Sequence, residues 1–209
     1  MSSTITKPRA MSRTPESRTW RGSVYIAMSL DGFIARPDGD IQWLTDPPEL
    51  DGHGTPVQSE HSPPEYEEFM SEVDHVVMGR KTLEKVLTFD EWPYRAFHVV
   101  VLSTTLRPGA DTRFTVMPSV AAAAQLMTDR RCKVAYLDGG QIIQAFLEAD
   151  LIDDMTISVA PVLLREGVPL FNGRATDGEI RLVHTGISTN DSGMTSSHYV
   201  LQRRSLQQS

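Results

Sequence analysis

Four short apolar runs recur along this chain, and each is cut off by residues that turn the backbone. They are Val24-Tyr25-Ile26-Ala27-Met28, stopped by Asp31-Gly32; His75-Val76-Val77-Met78, broken by Gly79; His98 to Leu102, nearly all Val; and Lys133 to Leu137, followed by Asp138-Gly139-Gly140. Apolar runs of this length, bounded by turn residues, read as strands. The Val-rich run from His98 lacks the alternation of a half-exposed strand, as an interior parallel strand would. Helical segments lie between the runs. Pro64 to Met70 opens a short helix with acids in its first turn, where the helix dipole favours them. A second helix runs from about Lys81 to about Val86. Ser119 caps an alanine-rich helix from Val120 to Met127, and Ile142, Ile143, Phe146, Leu147 and Leu151 fall at helical spacing. Thr112 to Met117 alternates weakly, and Met155 to Leu164 reads as one long strand. Glu179 to Ser188 and Met194 to Gln202 read as a closing antiparallel pair joined around Asn190-Asp191-Ser192-Gly193. Strands alternating with helices predict an α/β fold: a mixed, mostly parallel sheet flanked by helices, with a C-terminal antiparallel strand pair.

With 209 residues, 40% of them hydrophobic, the chain has room for one well-cored domain and not two. The expected organisation is a disordered leader over 1–22, a single domain over 23–204 and a tail over 205–209. The net charge is −7. Lys7, Arg9, Arg13, Arg18 and Arg21 against Glu16 leave the leader at +4 and the remainder at −11. So acidic a body argues against nucleic acid as a partner. No apolar run approaches the length of a membrane span, and no apolar stretch follows the basic leader as a secretory signal requires. A cytoplasmic protein with a small-molecule substrate is the expectation. Cys132 is the only cysteine, which excludes an intramolecular disulfide and a thiolate zinc cluster. Arg131 and Lys133 flank it, yet its position reads as a plain strand start. Residues 45–64 hold five prolines and two glycines and form a long loop. Asp51, His53, Glu60 and His61 lie there without the spacing that would hold a metal, so no metal is expected.

In open α/β sheets, ligands bind beyond the carboxyl ends of strands. Three strand ends carry suitable residues. Gly79-Arg80-Lys81-Thr82 turns the chain and places two cations and a hydroxyl where a helix opens, a setting that attracts phosphate. Leu102-Ser103-Thr104-Thr105 puts hydroxyls at the end of a buried strand. Asp138-Gly139-Gly140-Gln141 lets backbone approach a ligand closely. Three such ends point to a nucleotide with more than one phosphate. Gly-x-Gly-x-x-Gly, the phosphate loop Gly-x4-Gly-Lys-Ser/Thr and the hydrolase elbow Gly-x-Ser-x-Gly are all absent.

A family resemblance covers about 24–204. Val24 to Ala35, through Ser29-Leu30-Asp31-Gly32-Phe33-Ile34, resembles the opening strand and loop of the riboflavin-biosynthesis reductase domain, a member of the dihydrofolate reductase-like superfamily. Val77-Met78-Gly79-Arg80-Lys81-Thr82 and Val99 to Thr104 resemble that superfamily's next strands and turns. Leu137-Asp138-Gly139-Gly140 and Leu151 to Phe171, with Ala160-Pro161-Val162-Leu163-Leu164, resemble the riboflavin branch and its stand-alone relatives. The resemblance implies a reduced nicotinamide cofactor, NADPH. Ala27 and Ile34 would border the nicotinamide. Gly79, Arg80, Lys81, Thr82, Leu102, Ser103 and Thr104 would hold the adenosine end and its 2′-phosphate, and Gly139, Gly140, Gln141 and Ile142 would meet the pyrophosphate. Folate reductases usually have glycine where Asp138 stands and often Arg where Gln141 stands. A carboxylate beside a pyrophosphate is unfavourable unless it points away.

For catalysis the resemblance offers two carboxylates. In the riboflavin branch Asp31 is associated with the substrate site; as a plain sequence feature it is a turn residue before Gly32. Glu65 falls where folate reductases pair an acid with the pterin ring, and Thr156 near that acid's hydroxyl partner, though Glu65 also reads as a first-turn helix charge. Met28 and Ser29 would border the substrate. Trp43 matches an aromatic that closes the pocket, or is a core tryptophan. Arg165 could meet a substrate phosphate or lie in solvent. The implied activity is NADPH-dependent reduction of 5-amino-6-(5-phosphoribosylamino)uracil by a homodimer. The alternatives are dihydrofolate reduction, reduction of another small heterocycle or carbonyl, and an NADPH-binding module without catalysis. The deaminase signature His-x-Glu with Pro-Cys-x-x-Cys is absent.

Overall fold

The computed structural model describes residues 18–45, 64–109, 111–171 and 179–202. Its elements run β1 (Arg21–Ser29), β2 (Phe33–Ala35), α1 (Gln42–Thr45), α2 (Tyr66–Glu72), β3 (His75–Gly79), α3 (Arg80–Val86), β4 (His98–Leu102), β5 (Phe114–Met117), α4 (Val120–Asp129), β6 (Val134–Asp138), α5 (Gly140–Glu148), β7 (Asp154–Ala160), β8 (Val168–Pro169), β9 (Leu182–Thr189) and β10 (Thr195–Leu201). Eight strands form one sheet in the order β5-β4-β3-β6-β1-β7-β10-β9. Pairing is parallel from β5 through β7 and antiparallel for β7–β10 and β10–β9. The expected mixed sheet with a closing hairpin is therefore the observed one. Asn190 shapes the hairpin turn: its side-chain oxygen accepts from the N–H groups of Ser192 and Met194.

The sheet carries a core on each face. On one, α4 and α5 bury Met127, Ile142, Ile143 and Phe146 against Val77, Val100, Ala135 and Leu137. On the other, α2 and α3 bury Phe69, Leu83 and Val86 against Val76, Met78, Val99, Val101 and Tyr136. Adjacent strand residues serve opposite cores because side chains alternate along a strand. Both faces of β3, β4 and β6 are covered, hence their continuous apolar runs. Ser119 caps α4 by accepting from the Ala122 N–H at 3.2 Å, as its position predicts.

Two expectations need correction. Order does not start at residue 23. Trp20, 3% exposed, belongs to the core, its indole N–H donates to Thr128 at 3.1 Å, and Arg18 pairs with Asp153 at 2.6 Å. These contacts cross more than a hundred residues, so no local period announces them. Second, the strand at Met155 stops at Ala160. Pro161 has no N–H for a ladder, and the chain turns there, with the Val162 N–H donating to the Ala160 carbonyl. A second, two-stranded sheet pairs β2 with β8. The remainder of the leader, the metal-ligand candidates Asp51, His53, Glu60 and His61, and the tail lie outside the described residues. Among the described residues no helix is long and apolar enough to cross a membrane.

Candidate active site

The three strand ends converge. A Cβ built on Gly139, which has φ +93°, would lie 2.6 Å from Thr82 Oγ1. One on Gly140 would lie 3.0 Å from the Pro169 carbonyl oxygen and 3.3 Å from Ile34, and one on Gly79 would lie 3.7 Å from Ile142. Gly79, Thr82, Gly139, Gly140, Ile34 and Ile142 thus form one cradle beyond the carboxyl ends of β3 and β6, and α5 opens from it. Beside it, Arg80 Nη1 donates to Thr105 Oγ1 at 3.4 Å, and the hydroxyls of Ser103 and Thr105 lie 3.3 Å apart. Arg80 also approaches Glu84 at 3.5 Å. Thr105, which was not assigned to the site, joins Arg80 and Ser103 there. Lys81 and Gln141 are exposed beside these groups, and Leu102 is half-buried. Such an arrangement suits a dinucleotide: glycines leave the backbone bare, a helix N-terminus faces it, and cations stand at one end.

The opposite face of the same strand end carries the residue that sequence reasoning undervalued. Asp138 alternates with Tyr136, so its carboxyl joins the α2 and α3 side while α5 packs on the other. It therefore points to the side of the sheet opposite α5. Asp138 bears electrostatically on Tyr66, Tyr94 and Tyr136. Burial pushes its carboxyl up to about 6, against the Tyr136 hydroxyl and the Gly139 N–H, which pull it down. Tyr25 completes the cluster, edge-on to Tyr66 at 5.3 Å and tilted against Phe69 at 5.2 Å, and its carbonyl accepts from the Tyr136 hydroxyl at 3.0 Å. The exposed Glu65, at the N-cap of α2, bears on Tyr25, and Thr156 is Tyr25's register partner on β7. Glu65, Thr156, Tyr25, Tyr66 and Asp138 thus share one region. The signal in the sequence was the period-two placement of Asp138 after Tyr136.

Asp31 is not placed as a proton donor. Its Oδ1 accepts from Ser29 Oγ at 2.6 Å and from the Leu164 N–H, and its Oδ2 accepts from the Arg165 N–H at 2.7 Å. These bonds, Ser29's first, hold its carboxyl below the usual range, so it stays ionised and braces the 164–165 turn. Ser29 is fully buried and also accepts from the Phe33 N–H. Arg165 sits at φ 69° with its side chain exposed. A carboxylate favoured in the folded state stabilises above its unfolded pKa, and this is lost as pH falls through its folded value. Asp31→Asn should lower Tm at pH 7, and the gap to the wild type should close in acid below the ordinary value of 3.8. A gap that persists there would mean the brace does not depend on charge. Met28 also departs from expectation. Being next to Ala27 it faces the other side of the sheet, lining an apolar cavity with Leu30, Ile157 and Val159. Trp43 belongs to a small core with Ala160 and Leu164, its indole N–H buried and, among the described residues, unpartnered.

Cys132 is buried, and burial raises its thiol's pKa. Its thiol donates to Asp74 Oδ1 at 3.2 Å, and His75 Nδ1 lies 3.0 Å from the same oxygen. Asp74 also accepts from the N–H groups of Lys133 and Val134. The cluster ties the start of β6 to β3.

Sheet order, helix placement and this cradle define a dihydrofolate reductase-like α/β protein. Within that class the chain belongs to the family described as the RibD C-terminal domain, which matches residues 23–195. It is 34% identical over 166 residues to the uncharacterized protein YwjB of Bacillus subtilis, covering 78% of this chain and 88% of that one. A Shewanella sp. PV-4 structure with a provisional riboflavin-biosynthesis name is 32% identical at a TM-score of 0.72, covering 88% of this chain and 99% of that one. Dihydrofolate reductase of Enterococcus faecalis, complexed with NADP(H), is 17% identical at a TM-score of 0.59, covering 88% and 97%; that likeness concerns the fold alone.

Proposed function

We propose that the protein is an NADPH-dependent oxidoreductase of a small heterocyclic substrate, in the manner of 5-amino-6-(5-phosphoribosylamino)uracil reductases. One observation carries the reading. Gly79, Thr82, Gly139 and Gly140 meet between the starts of α3 and α5, and a carboxyl with a pKa of about 6 stands at the same strand end. When bound, NADPH supplies the hydride. The chain's own groups do the rest. Arg80, Ser103 and Thr105 hold the adenosine end, and the Gly139 and Gly140 backbone with the start of α5 holds the pyrophosphate. Ala27 and Ile34 border the nicotinamide. Asp138, protonated in part of the molecules near neutrality, delivers a proton on the face that carries Tyr25 and Tyr66. Glu65 and Thr156 beside Tyr25 are the observation that favours dihydrofolate instead.

The test is NADPH oxidation against the ribosylaminouracil, dihydrofolate and simple carbonyls. Turnover of the first and not the second supports the reading; the reverse moves the assignment to folate, and no turnover with any acceptor leaves a binding module. Arg80→Ala should weaken NADPH more than NADH, by about 1.5–3 kcal/mol for one charge-assisted contact to the 2′-phosphate. The ligand-induced rise in Tm reads this, since stabilisation follows RT ln(1 + [L]/Kd). Equal losses for both cofactors would remove Arg80 from the 2′-phosphate.

We further propose a homodimer. Helices α4 and α5 pack on β3 to β6, while Leu30, 64% exposed, and Phe171, 49% exposed, border the apolar cavity over β1, β7 and β10. A surface of this kind marks an association site, and a second copy would cover it. Sedimentation should give about 47 kDa, twice the chain mass of 23.3 kDa; a single species at chain mass would rule it out.

A further inference from the structure

A cavity of about 660 Å³ opens at the amino ends of β4 and β5, where His98 and Phe114 begin those strands. The cradle lies at their carboxyl ends, about 13 Å away along β4 at 3.3 Å per residue. The cavity's lining includes Arg95, Arg113, Arg130 and His98, and it includes no carboxylate. That is an unusual selection in a chain with 27 acids and 20 bases. Asp111, which is not among the lining residues, pairs with Arg113 through Nε at 3.1 Å and Nη2 at 2.7 Å. The guanidinium also stacks over Trp92 at 5.0 Å. Arg113 is therefore held rigid, and its Nη1 edge keeps its donors. Arg95 has one distant partner, Glu91 at 3.7 Å. Arg130, at the C-cap of α4, forms no ion pair among the described residues. Thr112 and Thr115 add hydroxyls to the wall.

We propose that this cavity is a second ligand site, separate from the cofactor cradle, for a small phosphorylated molecule. Planar guanidinium forks match phosphate oxygens in pairs, and three of them around one concavity, with hydroxyls between, concentrate that preference. The tetrahedral oxyanion also needs no deep apolar enclosure, which an open, mostly polar cavity does not offer. The fold keeps the site apart from the cradle: the parallel strands hold the two ends of the sheet at a fixed separation.

Inorganic pyrophosphate is the probe, titrated by calorimetry into the free chain and into the chain saturated with NADPH, at constant ionic strength. The cofactor cradle can also take pyrophosphate in the free chain, so two sites are expected there and one in the NADPH-saturated chain, the shared site keeping the same affinity. The double substitution Arg95→Ala with Arg130→Ala touches only exposed side chains at this end. It should weaken pyrophosphate by about tenfold or more and leave the NADPH affinity as it was. Three results would overturn the site: pyrophosphate affinity unchanged in the double variant, exclusion of all pyrophosphate by NADPH, or citrate bound as tightly as pyrophosphate. In a protein that takes up no NADPH, loss of a pyrophosphate site in the double variant still decides this cavity, so its failure and the failure of the reductase reading stay distinguishable.

Discussion

Asp138→Asn should cut kcat by a factor of about 10² or more, the range of a lost general acid, and should flatten the pH profile. In the wild type the carboxyl titrates at about 6. It acts in its protonated form, so the rate should fall as pH rises through that value, and the variant should lack this limb. Stability provides the control. The folded pKa lies above the ordinary value of 3.8, so the native state binds the proton more tightly than the unfolded chain. The resulting stability is fully present below 3.8 and is lost as pH rises toward about 6. At pH 7 the ionised carboxylate is a cost to the fold, on the order of 1 kcal/mol once its partial contact with solvent is allowed for. Asn removes that cost, and the variant should melt no lower than the wild type at pH 7. Lost turnover with an unchanged or higher Tm is the signature of a proton donor. A variant with normal kcat and the same pH limb would show that the proton comes from elsewhere.

Gly139→Ala should weaken NADPH by about 10²-fold and also lower Tm, for two separable reasons. Its φ of +93° is one that side chains rarely adopt, and its Cβ would meet Thr82 Oγ1 at 2.6 Å. Backbone strain of this kind costs about 1–3 kcal/mol. The collision adds to it and pushes α3 away from the start of α5, which opens the cradle. Thr82→Ala in the same chain deletes the colliding oxygen and leaves only Thr82 Cβ at 3.9 Å, an ordinary contact. The double variant should recover part of the Tm and none of the strain cost, so the two terms follow from a cycle of melting curves. NADPH bound by Gly139→Ala as tightly as by the wild type would remove Gly139 from the cofactor site.

The strand ends proposed for the cofactor are far more legible in the sequence than the residues proposed for the substrate. Gly79, Arg80 and the Gly139-Gly140 pair follow apolar runs directly, and a parallel sheet must bring such strand ends to one edge. Local order alone locates them. Asp31, Ser29 and Arg165 show the contrary case. Their types and positions suit a substrate site equally well, and only the hydrogen bonds from Leu164 and Arg165, more than a hundred residues along, show Asp31 bracing a turn. Met28 and Ala27 part for a simpler reason: a motif string treats neighbours as one site, whereas a strand sends them to opposite faces. Trp20 and Arg18 were assigned to the leader because their partners, Thr128 and Asp153, are distant in the chain.

By itself the sequence determined the layer architecture, the near-continuous burial of β3, β4 and β6, the cap of α4 and the strand ends that can receive phosphates. Each depends on residues within a few positions of one another, where hydrophobic period, turn residues and capping act. Only the tertiary structure decided which carboxyl is raised toward neutrality, which is spent as a brace, and which arginines share a cavity free of acids. A pKa, a hydrogen-bond partner and a pocket wall are set by groups that the sheet order brings together across the chain. The separation of Asp138 from α5 by the thickness of one strand belongs to that second kind.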